Sequence, residues 1–321
     1  MHVHYNSDPF WLLTEVISPL VRAQRASGEL SQFFFIRYWE NGPHIRLRLK
    51  TSSGNGSEIA PVSKAKSEIN EFLKQRPSVF NFPAKFMPSP FEKLFVEEYG
   101  TVKLHQKYGA GGSIPYERNN TVLDAVYEPE YERYGGVHAM TPAEQYFEDS
   151  SNIALEVLEG FNGHDFRSVL GHALQFFLYA CLIFCPSQGA AAFARSYAAR
   201  WVGFTTKTGG GPGTDFTRKF DRQRDTIHDV LRRCELSLAD LAIATGVERA
   251  AMQALQTVRA GLLEGLDTGR IVRTDLTKPV DALLGPLLFS FLHMHNNRLG
   301  LAISDEIYLA SIVEKVFHEH S

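Results

Sequence analysis

Cysteine is scarce in this chain: three in 321 residues, Cys181, Cys185 and Cys234. An odd and sparse set cannot supply the disulfide framework of a small secreted fold, which points to a reducing, cytoplasmic setting. Net charge is nearly absent as well, with 33 Lys and Arg against 36 Asp and Glu for a formal −3. A chain built to coat nucleic acid carries a strong basic excess, so any anion contact here must come from a local patch. Long apolar runs are also missing. The clearest, Ala173–Cys185, is interrupted by Gln175 and falls short of the ~20 residues that a membrane span requires, so it is expected to be a core helix. Met1–Asn6 has no basic segment leading into an apolar one, and no secretion signal is expected. There is no internal repeat, no Gly-x-Ser-x-Gly elbow and no dinucleotide-binding fingerprint. Gly209-Gly210-Gly211 is not followed by the Lys-Ser/Thr of a phosphate loop.

What is present is globular. Hydrophobic residues make up 44% and charged residues 21%, enough apolar material for a large core and too much for disorder. The length alone suggests about two domains or one large one. Strand signals gather in residues 1–136: Met1–Tyr5, Gln32–Trp39, Ile45–Lys50 after Asn41-Gly42, and weaker candidates at Thr101–Lys107 and Val122–Tyr127. Asp8-Pro9 opens a helical pattern to about Arg25, 51–58 reads as a polar loop, and 75–91 is proline-rich and irregular. Residues 137–321 read as helical. Thr141-Pro142-Ala143-Glu144 has the form of a capping box, and helices are predicted over about 142–161, 165–185, 187–203, 214–235, 237–265, 280–298 and 304–319. Strands early and helices late predict an α+β fold.

Three stretches could carry chemistry. In Ile45–Lys50, His44, Arg46, Arg48 and Lys50 share one strand face and Ile45, Leu47 and Leu49 the other. With a two-residue Asn41-Gly42 loop, Arg37 would lie opposite Arg46, a like-charge pair that invites an anion; a longer loop around Pro43 would change that register. A face of guanidiniums beside aromatics suits planar binding of a carboxylate or phosphate, although a solvated basic face has the same pattern. Tyr131-Glu132-Arg133-Tyr134-Gly135-Gly136 sets one base among acids before the long helix. There the arginine either neutralises its neighbours or is aimed inward by the glycine turn. Leu292-His293-Met294-His295-Asn296-Asn297-Arg298 ends an apolar helix, with His293 and Asn297 on one face. A histidine in that place is either a satisfied structural residue or a general acid–base. His2/His4 and His318/His320 have no third ligand nearby, so no metal site is expected.

Together these stretches are recognisable. Phe33-Phe34-Phe35-Ile36-Arg37-Tyr38, then Gly42-Pro43-His44-Ile45-Arg46-Leu47-Arg48, resembles the start of the C-terminal elimination domain of class I lantibiotic dehydratases and of its free-standing, thiopeptide-type relatives. Tyr131–Gly136 is similar to the family's Glu-Arg-Tyr-Gly-Gly element. His293–Leu299 is similar to its His-Met…Asn-Arg-Leu element, and the closing segment Ser304–Val316 also matches in character.

The resemblance implies removal of glutamate from glutamylated Ser or Thr of a ribosomal precursor peptide, leaving dehydroalanine or dehydrobutyrine. It implies Arg46, Arg48, Arg133 and His293 as the catalytic set, with Arg37, His44, Tyr134, Asn297 and Arg298 as neighbouring substrate-binding residues. No cofactor and no metal are expected. The implied partners are the glutamylated precursor peptide and a separate protein that glutamylates it from glutamyl-tRNA. This chain itself is expected to make no direct nucleic-acid contact and to have no membrane span. Because Arg46 and His293 would have to meet across nearly the whole chain, the expectation shifts to a single elimination-type domain over 1–321, with a β-containing part (1–136) and a helical part (137–321). Two alternatives remain. One is a thiopeptide pyridine synthase, joining two dehydroalanines by a formal [4+2] cycloaddition with release of the leader peptide; such enzymes are expected to depart from the Arg/His set. The other is a non-catalytic peptide-binding partner of the glutamylating protein, which would have no need of that set.

Overall fold

The computed structural model describes residues 1–52, 59–80, 90–161, 165–185, 189–208, 216–271 and 280–320. The loop expected at 51–58, much of the irregular 75–91 stretch and the Gly209–Gly211 turn lie largely outside the described residues. The architecture is α+β. Two compact units are present, one formed by Met1–Tyr127 with Thr206–Gly210, the other by Glu128–Thr205 with Gly211–Ser321.

The first unit is organised by an antiparallel sheet of β1 (His2–His4), β2 (Leu30–Tyr38), β3 (His44–Thr51) and β4 (Thr121–Leu123), in the order β2-β3-β1-β4. Strand alternation divides its side chains cleanly. Val3, Phe33, Phe35, Ile45 and Leu47 are buried on one face. Helical residues Leu12, Leu13, Ile17, Leu20 and Val21 supply further core, from a π-helical stretch (Leu12–Ile17) that continues into α1 (Ser18–Ala26). Asp8 starts this helical run as expected, its carboxylate accepting from the Phe10 N–H at 3.1 Å. Also in this unit are α2 (Ile59–Gln75), α3 (Pro90–Tyr99) and α4 (Thr101–Tyr108). Burying each large apolar side chain of this core contributes about 1.5–3 kcal/mol against the entropy of ordering it.

The hairpin register differs from the two-residue-loop reading. Tyr38 pairs with His44, Ile36 with Arg46 and Phe34 with Arg48, while Arg37 sits opposite Ile45. Pro43 lengthens the connection, and Asn41 and Gly42 take φ of +64° and +99° within it. A one-residue change of register moves a side chain to the other face. Arg37 therefore lies on the opposite face from Arg46 and meets Asp8 at 3.5 Å.

Thr101–Lys107 is helix, not strand. Its Val102/Leu104 alternation has no single face to bury: Val102 is exposed, whereas Leu104 joins a cluster with Phe95, Ile114 and Tyr108. The strand expected at Val122–Tyr127 ends at Leu123.

The second unit is helical: α5 (Val137–Gly160), α6 (Phe166–Phe184), α7 (Ala190–Thr208), α8 (Phe216–Asp221), α9 (Arg224–Ala239), α10 (Gly246–Asp267), α11 (Val280–Leu299) and α12 (Ile303–His320). α5 begins before the expected capping box and passes through Pro142, because Gly135-Gly136 turn the chain directly into the helix. The break within the expected 237–265 helix has a readable cause. Asp240 accepts from Ala242 N–H, and Thr245 with Glu248 forms a reciprocal capping box that starts α10. α6, at 19 residues, is longer than the apolar run suggested and by length and composition could cross a membrane, but more than half of it is buried inside the protein.

Candidate functional site

The polar face of the sheet carries His2, His4, His44, Arg46 and Arg48. His44 is buried, and its Nδ1–H donates to the Gly42 carbonyl at 2.8 Å. Its Nε2 lone pair therefore faces Arg46, whose Nε–H donates to it at 3.3 Å. Burial pushes the His44 pKa down to about 2, which keeps the ring neutral for this accepting role. Arg46 is held on two further sides: Nη2 lies 3.2 Å from Glu40, and the guanidinium carbon lies 3.4 Å from the Tyr38 ring centre. Burial alone would raise the Glu40 carboxyl, but Lys107, Tyr108 and Arg46 hold it below its ordinary value.

Arg48 is less committed. Its Nη1 is buried and has no hydrogen-bond partner among the described residues. Burial and the nearby Arg46 pull its pKa down to about 10, so it remains charged at neutral pH. The three imidazoles pack together with tilted rings, His44 centred 4.7 Å from His2 and 4.6 Å from His4. Burial lowers His2 to about 3 and His4 to about 4. All three are neutral at pH 7, so the positive charge of this face comes from the arginines and from Lys50 at its end.

In the helical unit, Gly135 and Gly136 adopt φ of +89° and +99°, a left-handed pair that closes the Tyr131–Gly136 turn through Gly136 N–H to the Tyr131 carbonyl at 2.7 Å. A Cβ on Gly135 would also meet Ala139 Cβ at 3.3 Å. The turn buries Tyr134 against Phe147 and Phe291, leaving Arg133 partly exposed and bridged to Glu130 at 3.2 Å.

α11 and α12 bring a histidine and a buried acid together. His293 Nδ1 lies 2.9 Å from Oε1 of Glu306, a carboxylate only 1% exposed. The other carboxylate oxygen accepts from the Tyr197 hydroxyl and from Asn296 Nδ2 at 3.2 Å. Burial and Glu306 push the Tyr197 phenol well above its ordinary pKa, so it stays a donor. With its Nδ1–H given to Glu306, the His293 imidazole keeps Nε2 as its basic nitrogen. Trp201 packs against the ring at 4.6 Å.

Further along α11, His295 and Arg298 are fully buried. His295 Nδ1 lies 2.9 Å from Ser150 Oγ, and its Nε2 lies 3.2 Å from Nε2 of His172. Arg298 donates to Ser151 at 3.0 Å and to Ser150 at 3.3 Å. Burial lowers His172 to about 4 and His295 well below its ordinary value, while Arg298 falls to about 10. The unfolded chain binds protons at these histidines near pH 6.5, before the native state does, so their contribution to stability is complete above that pH and lost as pH falls. We expect the unfolding free energy from urea titrations to drop between pH 6.5 and 4, by up to ~1.4 kcal/mol per pH unit for each buried histidine. His172→Gln should flatten the profile; an unchanged profile in that variant would contradict the assignment.

The family model for the lantibiotic biosynthesis dehydratase C-terminal region matches residues 1–317. The chain belongs to the lantibiotic dehydratase C-terminal family. No curated protein matches it by sequence. Among solved structures it is similar to the pyridine synthase TbtD from thiomuracin biosynthesis, with a TM-score of 0.71 and 18% identity over 99% of this chain and 96% of that one. It is similar to TsrL, at 0.65 and 17% identity over 99% and 94%. A third match is the tRNA-dependent lantibiotic dehydratase MibB from Microbispora sp. 107891, at 0.58 and 18% identity, where 99% of this chain spans 28% of the larger protein. At these identities the neighbours establish the shared fold.

For this family member, the residues singled out by sequence fall into distinct places. In the sheet unit, His44 touches Arg46, and Arg48 shares their face, while Arg37 is on the other. In the helical unit, His293 and Asn297 are partly exposed on α11, Arg133 is on the glycine turn, and Tyr134 and Arg298 are buried. Among the described residues, no group of three or more His, Cys, Asp or Glu side chains is arranged to hold a metal. Sequence reasoning missed Glu306, Tyr197 and Glu40. Glu306 reads only as one of two acids in the first turn of α12, a common preference at helix starts, and nothing local ties it to His293.

Proposed function

We propose that this chain eliminates glutamate from glutamylated Ser and Thr residues of a ribosomal precursor peptide. The observation that carries this reading is the His293–Glu306 pair. Elimination must remove a weakly acidic Cα proton, and an imidazole held by its Nδ1–H to a buried carboxylate is a base suited to that task. His293 Nε2 takes the Cα proton, and the freed electron pair forms an enolate on the peptide carbonyl. The pair then closes the Cα–Cβ double bond as the Cβ–O bond breaks and glutamate leaves as a carboxylate. Arg46, Arg48 and Arg133 supply fixed positive charge for the enolate and the leaving carboxylate without titrating. His44 acts through Arg46, Tyr134 and Arg298 act by holding the glycine turn and α11, and Asn297 borders the bound peptide, while Arg37, on the other face of the sheet, takes no part.

The proposed partners are the precursor peptide and a cytoplasmic protein that glutamylates it from glutamyl-tRNA; this chain needs no nucleic acid of its own. A second reading, formal [4+2] cycloaddition of two dehydroalanines with leader release, is favoured by one fact: the fold is shared with a pyridine synthase at a TM-score of 0.71. Presenting the protein with a glutamylated peptide and, separately, with one already carrying dehydroalanines distinguishes the two by mass spectrometry. Elimination consumes the first; cycloaddition consumes the second.

A further inference from the structure

Two polar groups on the polar face of the sheet lack partners. Nε2 of His2 and Nη1 of Arg48 are each buried, and neither has a hydrogen-bond partner among the described residues. Buried polar groups are almost always satisfied in native proteins, and an exception points to a group that binds there. The two residues lie on the same face: His2 pairs with Arg46 across β1 and β3, and Arg48 is the next residue along that face of β3. The local acid cannot satisfy them, because Glu40 already receives Arg46, Lys107 and Tyr108. Arg46 is itself occupied by Glu40, His44 and the Tyr38 ring. Arg48 and His2 therefore each carry a buried, uncommitted hydrogen-bonding group on this face.

We propose that His2 is a substrate-binding residue, its Nε2–H joining Arg48 Nη1 in a subsite for one carboxylate. A carboxylate offers two oxygens, one for each donor. With the proton on Nε2, His2 is a second donor beside the charged Arg48, and a carboxamide would turn its own N–H₂ towards one of them, so the pair favours acid over amide. Packing on His44 fixes the His2 ring, and burial keeps it neutral at pH 7, where it donates without adding charge. The identity of the carboxylate as the free acid of a glutamyl ester rests on the proposed function; the subsite itself does not.

The test is a titration of the full chain, labelled with ¹⁵N-histidine, with glutarate and with glutaramide at fixed ionic strength. Glutarate should shift the His2 imidazole resonances saturably, and glutaramide should not. His2→Ala should weaken glutarate binding about tenfold, Arg48→Gln should abolish it, and His2→Gln, which keeps a donor near the same place, should recover part of the loss. With a glutamylated peptide, His2→Ala should raise KM about tenfold while kcat changes less than threefold. Absence of a His2 shift on saturation, or glutarate affinity unchanged in His2→Ala, overturns the proposal. Glutarate binding through His2 in a protein that releases no glutamate from the peptide keeps the subsite and removes the elimination reading. Glutamate release without glutarate engaging His2 does the reverse.

Discussion

His293→Ala is expected to halt elimination, lowering kcat by about 10²–10⁴ and letting the glutamylated peptide accumulate. The loss should be in kcat, because the base acts on the proton as it leaves and contributes little to holding the peptide. Glu306→Gln extends the argument. Glu306 accepts from Nδ1 of His293, which leaves Nε2 basic. An amide in its place can donate to Nδ1 instead, and the ring then carries its proton on Nε2 and cannot take another. Glu306→Gln should therefore lower kcat by at least ~10² with KM nearly unchanged. Single-turnover kinetics on the glutamylated peptide reads both. Normal dehydration by His293→Ala would remove the histidine from the mechanism.

Arg298→Ala is expected to act on folding. The guanidinium is 1% exposed and holds Ser150 and Ser151. Its removal leaves a cavity of side-chain size and deprives two buried hydroxyls of a donor. A cost of about 3–5 kcal/mol follows, which for a unit of this size lowers Tm by roughly 6–20 °C. Arg298→Met keeps most of the volume and should recover part of that loss. Far-UV circular dichroism on heating measures it. If Arg298 contacted the peptide directly, Arg298→Ala would instead unfold like the parent and show its defect in KM alone.

Much of this was legible from local signals. The alternating Ile45–Lys50 strand, the Asp8 start and the apolar α11 follow from periodicity and capping, which short-range sterics enforce. The register of β2 and β3 was not, because it depends on how many residues the Pro43 connection takes up. That single uncertainty moved Arg37 to the other face. Thr101–Tyr108 shows a related limit: its alternation resembled a strand, but helical spacing brings Leu104 and Tyr108 to the Phe95 cluster. Arg46, Arg48 and His293 stood out because their motifs sit on regular elements, and Arg133 because a glycine pair follows it. Glu306 and Tyr197 did not, since the carboxylate that orients His293 is brought to it by the packing of α12 and α7, which no sequence spacing records. His2 was weighed only as a poor metal ligand; its meaning came from its neighbours across the sheet.

The most direct test of the central claim uses a peptide whose O-glutamylated serine carries deuterium at Cα. Incubated with the protein alone, without tRNA, it should lose glutamic acid and its deuterium together to give dehydroalanine, as followed by mass spectrometry. Release of glutamate with serine restored and the deuterium retained would mean ester hydrolysis. That outcome, or an unchanged peptide, would contradict elimination.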